Sequence, residues 1–173
     1  MLQFDPDTKM SRTAPLFEDP RPLDVICMGR VAVDLYAEQV YSHLKDAQSF
    51  RKYLGGCAGN TAVGTARLGL KSAMFSCVGT DEMGLFLRDT LENERVDTTL
   101  LRSTPEHLTA LVVLGVNPPD RFPLIFYREN CADMQIQPED ANPEMFRKAK
   151  ALLITGTGLS TPTMRKATWQ AVK

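Results

Sequence analysis

The chain has 173 residues, 43% hydrophobic and 24% charged, enough for one domain with its own core. With 20 Lys and Arg against 21 Asp and Glu the formal net charge is -1 and no basic run stands out, so neither nucleic acid nor a membrane is an expected partner. Met1–Pro22 carries no continuous apolar stretch of the secretory kind, and the longest apolar run, Ala110–Val116, is interrupted by Gly115 and too short to span a bilayer; a cytoplasmic protein is expected.

Residues 1–23, with Pro6, Pro15, Pro20 and Pro22 among charged side chains, read as a flexible lead-in, and 24–173 as one domain. Val25-Ile26-Cys27-Met28, ended by Gly29, has the unbroken apolar character of a strand buried on both faces. Val31–Tyr41 is partly alternating and reads as a strand or an extended loop leaving the core. Leu54-Gly55-Gly56-Cys57-Ala58-Gly59-Asn60-Thr61-Ala62 is a glycine-rich loop opening a short helix that stops at Gly69. Such a loop presents unpaired backbone N–H groups and is a candidate ligand cradle. Ala58, Ala62 and Ala66 share one helix face, small enough to let the helix approach a sheet closely.

Lys71–Val78 predicts a second buried strand closed by Gly79, and Asp81 caps a helix over 82–94 with Met83, Phe86, Leu87 and Leu91 as its apolar stripe. Leu108–Val116 and Phe122–Arg128 are β-rich runs joined by Asn117-Pro118-Pro119-Asp120, a hairpin pattern. Pro138 and Pro143 flank the start of a helix reaching Lys148, and Ala151–Thr155 predicts a third buried strand. Thr161 and Pro162 open a last helix as N-cap and first residue, and Trp169 within it reads as a packing residue. Buried strands alternating with helices define an α/β fold with a mainly parallel sheet. The Val31–Tyr41 segment and the hairpin break that alternation. They read as a small β-rich lid, about 31–41 and 107–128, near the carboxyl ends of the strands, where open α/β sheets bind ligands.

Cys27, Cys57, Cys77 and Cys131 form no C-x-x-C pair and are expected as reduced thiols. His43 and His107 are the only histidines, so no metal site is expected within the chain.

Gly56-Cys57-Ala58-Gly59-Asn60-Thr61-Ala62, with Gly69 and Gly79 downstream, resembles the first signature of the ribokinase-like (PfkB) sugar kinases. Asp24–Arg30 followed by Val33-Asp34-Leu35-Tyr36 is similar to that family's first strand and substrate-binding aspartate, and Val78–Gly84 to its V-G-x-D-x-x-G. Phe122–Asp133 and Leu152–Thr157 look most like the branch that phosphorylates 5-dehydro-2-deoxygluconate, a sugar acid of inositol catabolism. The resemblance implies a ribokinase-like three-layer fold with a β lid, ATP and Mg2+ as cofactors, a small sugar acid as partner, and pairing of lids in a homo-oligomer.

It also implies site residues. Asp34 would accept hydrogen bonds from two sugar hydroxyls, although the same carboxylate also suits a turn cap or a solvated loop. Gly55 and Gly56 would bring backbone N–H groups against the sugar, or simply make a tight turn; Asn60 would bond a hydroxyl pair, or be the helix N-cap or a first-turn residue. Arg128 is expected on one hairpin face with Phe122, Leu124 and Phe126, free to hold a substrate carboxylate unless it pairs with Glu129 or another carboxylate. Thr109 is a weaker candidate, equally readable as a solvated strand threonine; Arg30 follows the first strand, from where it could approach the ligand, and is not assigned to the site.

The family's second signature, a G-A-G-D turn supplying the catalytic base and anion hole, does not occur before Lys173. The expectation is the N-terminal part of a kinase, incomplete in this chain, with no catalytic residue of its own and with ATP and Mg2+ held mostly outside it. Alternatives are another PfkB sugar kinase, acting on 2-keto-3-deoxygluconate, fructose or ribose, or a catalytically inactive truncated binding protein. Buried strands with an open edge predict an isolated chain that is poorly soluble or oligomeric.

Overall fold

A computed structural model describes residues 20–173, so most of the expected lead-in at 1–23 lies outside the described residues. The elements run β1 (Leu23–Met28), β2 (Ala32–Ala37), β3 (Phe50–Gly55), α1 (Cys57–Arg67), β4 (Ser72–Gly79), α2 (Glu82–Asn93), β5 (Leu101–Thr104), β6 (Leu111–Leu114), β7 (Leu124–Tyr127), α3 (Pro143–Phe146), β8 (Ala149–Ile154) and α4 (Pro162–Ala171).

β5-β4-β1-β8 form one sheet, and all its pairings are parallel. Successive residues of a strand face opposite sides, so β1 sends Val25 and Cys27 one way and Ile26 and Met28 the other. The first pair packs against Ala58 and Ala62 of α1 and Leu87 and Leu91 of α2. The second packs against Phe146 of α3 and Met164, Ala167 and Ala171 of α4. Leu87 and Leu91 are 0% exposed, and such burial is worth about 1.5–3 kcal/mol per side chain. The result is the parallel α/β body that the sequence pattern predicts, in the three layers that the resemblance implies. Ala58 and Ala62, also fully buried, are the small residues that let α1 lie close on the sheet.

A second sheet, in the order β3-β2-β6-β7, forms the lid. β2 pairs antiparallel with β3 and parallel with β6, and β6 pairs antiparallel with β7. β1 leads through Gly29–Val31 directly into β2, so the lid begins at the carboxyl end of the central strand. Val33, Leu35, Leu54 and Leu111 turn one lid face onto the α1 and α2 core. The other face carries the rung Tyr53↔Asp34↔Val112↔Phe126, read across all four strands from their register.

Several local expectations are corrected. The helix expected to follow Asn60 begins at Cys57, so Asn60 lies inside its first turn and Gly56 takes the N-cap position. β3 and β5 are additional strands: Arg51 and Lys52 of β3 are exposed, and in β5 only the end residues Leu101 and Thr104 are buried. Neither has the apolar run that announces a strand. The helix expected between Pro138 and Lys148 is one 3-10 turn, Pro138–Asp140, followed by the single turn of α3. Trp169 is 64% exposed on α4 and not a core packing residue.

Candidate functional site

The glycine cluster seats α1 against the β1–β2 connection. Gly56 has φ +88, a conformation that side chains disfavour, and a Cβ there would meet the Arg30 carbonyl oxygen at 2.4 Å. A Cβ on Gly59 would meet the Val31 side chain at 2.9 Å. The amide of Gly59 donates to the Arg30 carbonyl (3.3 Å) and that of Asn60 to the Gly56 carbonyl (2.9 Å). Two of the N–H groups of the expected cradle are thus already bonded within the protein.

Gly55, the last residue of β3, makes room for a carboxylate. A Cβ there would lie 2.1–2.2 Å from the carboxyl atoms of Asp34. Asp34 is half-buried on β2 and lines an open cleft of about 440 Å³ with Tyr36, Tyr53, Leu54, Asn60 and Val116. Tyr36 and Tyr53 meet edge to face, ring centroids 5.4 Å apart at 88°. Burial pushes the Asp34 carboxyl above its ordinary value, and the positive charge of Arg30 opposes that rise. Asp34, Gly55 and Asn60 therefore come together, an ionisable acceptor beside an exposed amide.

Arg128 is placed differently from the sequence expectation. It follows β7, and its Nε donates to Asp133 Oδ2 at 2.7 Å, a pair in which the side chains are only 14% and 1% exposed. The alternative of an ion pair held, but with a buried partner in place of Glu129. Burial raises the Asp133 carboxyl pKa, while Arg128 and then Arg30 pull it back. Arg128 Nη2 and Asp133 Oδ1 are buried without a hydrogen-bond partner, as is Arg30 Nε. The Arg30 guanidinium lies over the Phe126 ring, 5.3 Å from its centroid. Sequence reasoning passed over Asp133; its signal was an acidic residue five positions after an arginine in the Phe122–Asp133 run.

Thr109 sits ahead of β6 at 5% exposure, neither in the hairpin strand nor solvated. Its hydroxyl accepts the Gly79 N–H (2.9 Å) and its own N–H donates to Asp81 Oδ2 (2.8 Å). Asp81 Oδ1 accepts from the Met83 and Gly84 amides at 2.9 and 3.0 Å. A Cβ on Gly84 would meet the Gly79 carbonyl oxygen at 2.0 Å. The Gly79, Asp81 and Gly84 pattern is therefore a knot tying the lid to the end of β4 and the start of α2.

The four cysteines are free; burial pushes the Cys27 and Cys77 thiols up to about 11, while Cys57 is exposed. Among the described residues no three His, Cys, Asp or Glu side chains gather as a metal site, and no helix is long and apolar enough to cross a membrane. The cleft residues, one carboxylate and one amide between tyrosines, do not by themselves build a site for ATP and Mg2+.

A parallel α/β body whose central strand feeds a four-stranded sheet, with a half-buried carboxylate and an exposed amide lining an open cleft, defines an α/β domain of the lidded kind. The pfkB family carbohydrate kinase pattern matches residues 23–173, and the chain belongs to that family. It is 34% identical over 158 residues to the 5-dehydro-2-deoxygluconokinase of Geobacillus thermodenitrificans, covering 91% of this chain and 47% of that protein. A PfkB protein from Polaromonas sp. superposes with a TM-score of 0.80 at 29% identity, covering 86% of this chain and 50% of that one. An uncharacterized sugar kinase from Pyrococcus horikoshii, solved in complex with ATP, gives 0.78 at 27% identity over 86% of this chain and 48% of its own. The chain thus spans about half the length of the curated relatives it matches.

Proposed function

We propose that this chain supplies the acceptor-binding half of an ATP-dependent kinase that phosphorylates a sugar-acid hydroxyl, with 5-dehydro-2-deoxygluconate converted to its 6-phosphate. The observation that carries the reading is the Asp34 carboxylate, given space by Gly55 and opening onto a cleft shared with Asn60. An ionised carboxylate accepts from two neighbouring hydroxyls, and an amide donates to one hydroxyl while accepting from another. Tyr36 and Tyr53 offer an apolar wall to the carbon skeleton. Arg128 keeps Nη2 for a substrate carboxylate while Asp133 holds its Nε.

ATP, with Mg2+, supplies the transferred phosphoryl group and neutralises its charge. The residues of this chain bind and orient the acceptor. Residues 1–173 alone are expected to show no kinase activity. We place the protein in the cytoplasm, with homo-oligomers formed through the lid. The naming of its curated relatives supports the sugar-acid substrate.

Calorimetric titration of the chain with 5-dehydro-2-deoxygluconate and with fructose tests the reading. Binding of the sugar acid that Asp34→Asn abolishes supports it; equal binding by the variant removes Asp34 from the site. A second reading, a kinase for a neutral sugar, is favoured by the engagement of Arg128 with Asp133, which leaves one fewer donor for a carboxylate. Fructose binding without sugar-acid binding selects it.

A further inference from the structure

We propose that Arg30 is a specificity-determining residue: its buried Nε–H, together with the buried Nη2–H of Arg128, receives the carboxylate of the acceptor. The proposal rests on the sugar-acid reading above and adds the residue that would enforce it.

Arg30 immediately follows the glycine that ends β1, and its backbone is held from both sides. Its N–H donates to Thr157 Oγ1 at 3.0 Å, and its carbonyl accepts from the Gly59 amide at 3.3 Å. Thr157 is itself bonded to Thr155 through their hydroxyls at 2.8 Å, so the anchor on the β8 side is a fixed pair. The start of the Arg30 side chain is therefore set by the central sheet and α1 together. Its far end rests on Phe126, 5.3 Å from the ring centroid. Phe126 stands on the lid rung that also carries Asp34, so the guanidinium is placed on the lid face that bears the cleft carboxylate.

The charges around Arg30 leave it as the uncommitted cation. Arg128 and Asp133 neutralise one another at 2.7 Å, whereas Arg30 makes no ion pair among the described residues. Asp34 and Asp133 both feel its positive charge without touching it. A buried donor without an acceptor is costly; Asp133 Oδ1 is also buried without a partner, but one carboxylate faces two cations there, and the remaining positive charge calls for an acceptor of opposite sign. A carboxylate has two oxygens and can take both N–H groups at once; a neutral sugar hydroxyl cannot supply that charge.

The test compares wild type, Arg30→Met and Arg30→Lys in calorimetric titrations with 5-dehydro-2-deoxygluconate and with fructose. Arg30→Met keeps an apolar stem against Phe126 and is expected to weaken sugar-acid binding by roughly 10- to 100-fold, the worth of a charge-assisted buried hydrogen bond. Fructose binding should stay within about twofold of wild type, since no charge is recognised there. Arg30→Lys, which keeps the charge and loses the fork, should fall between. Equal loss for both sugars makes Arg30 a structural prop and overturns the proposal, as does an unchanged sugar-acid affinity. Wild type that binds fructose and not the acid overturns the sugar-acid reading with it, and wild type that binds neither overturns the acceptor site as a whole.

Discussion

Gly55 and Asp34 occupy the same space: a methyl group on the glycine would lie 2.1–2.2 Å from the carboxyl atoms of the aspartate. The two residues are neighbours across the β2–β3 pairing, where Ala32 opposes Gly55 and Tyr53 opposes Asp34. The Gly-Gly that precedes α1 is thus explained twice over. Gly55 admits a side chain, and Gly56 admits the backbone of Arg30.

Gly55→Ala is therefore expected to displace Asp34 from its cleft. Acceptor affinity should fall at least tenfold, and overpacking should lower stability by about 1–3 kcal/mol. Calorimetric titration beside a thermal melt separates the two effects. Wild-type affinity in a folded Gly55→Ala chain would show that Asp34 is not held by this contact.

Asp34→Asn should separate binding from stability. Because burial raises the folded-state pKa, the Asp34 carboxylate costs stability when ionised, and that cost falls as pH drops toward the raised value. The asparagine carries no such cost, so its melting temperature at neutral pH should be unchanged or higher while acceptor binding is lost. In wild type, acceptor affinity should decline with falling pH beginning above the ordinary aspartate range, as the carboxylate takes up a proton. A pH series of titrations reads this directly; affinity flat down to pH 4 would contradict it.

Asp133→Ala leaves the 14% exposed Arg128 without its counter-charge. Breaking one side of such a buried pair costs about 3–5 kcal/mol, which in a chain of this size lowers the melting temperature by roughly 10 °C. Replacing both residues, Arg128→Met with Asp133→Leu, should recover most of the loss. A double variant as unstable as Asp133→Ala would mean that the pair does more than neutralise itself.

Asp81→Ala removes the α2 N-cap and the tie to Thr109 in one step, with an expected cost of about 2–4 kcal/mol. Burial pushes this carboxyl up, but the Thr109, Gly84 and Met83 N–H groups overcome it and hold the pKa below the ordinary value. A depressed aspartate contributes stability that is fully present above its unfolded pKa and is lost as pH falls through the folded one. Asp24, held low by the Lys71 amide and by Lys150, acts in the same direction. Acid denaturation should therefore steepen below about pH 4 in wild type and be shallower in Asp81→Asn. Melts across pH 2–6 measure the difference.

Oligomerisation through the lid predicts that Ile125→Lys, on the exposed edge strand β7, shifts the chain toward monomer. Sedimentation velocity of wild type and variant decides it. An oligomer that is unchanged by the lysine does not form through that edge.

The body of the fold was legible because local pattern and tertiary role coincide there. The runs at Val25–Met28 and Lys71–Val78 are apolar on both faces since helices cover both faces, and Asp81 and Thr161 accept the helix amides their positions call for. The run at Ala151–Thr155, expected as a third buried strand, is corrected to the edge strand β8, in which only Ala149 is buried and Ala151 is exposed. β3 and β5 escaped because an edge strand exposed to water keeps polar side chains, so no apolar period marks it. The site divides along the same line. The resemblance named Asp34, Gly55, Gly56 and Asn60 together with Arg128 and Thr109; of these only the glycine cluster beside a helix start is a signal local to the residues themselves. Only the tertiary structure decided that Gly55 yields its space to Asp34, that Thr109 anchors the lid, that Arg128 is tied to Asp133 and that Arg30 is left with a free donor. Those facts depend on which side chains the folded strands and turns bring into contact, and spacing along the chain does not say which of several possible partners a group takes.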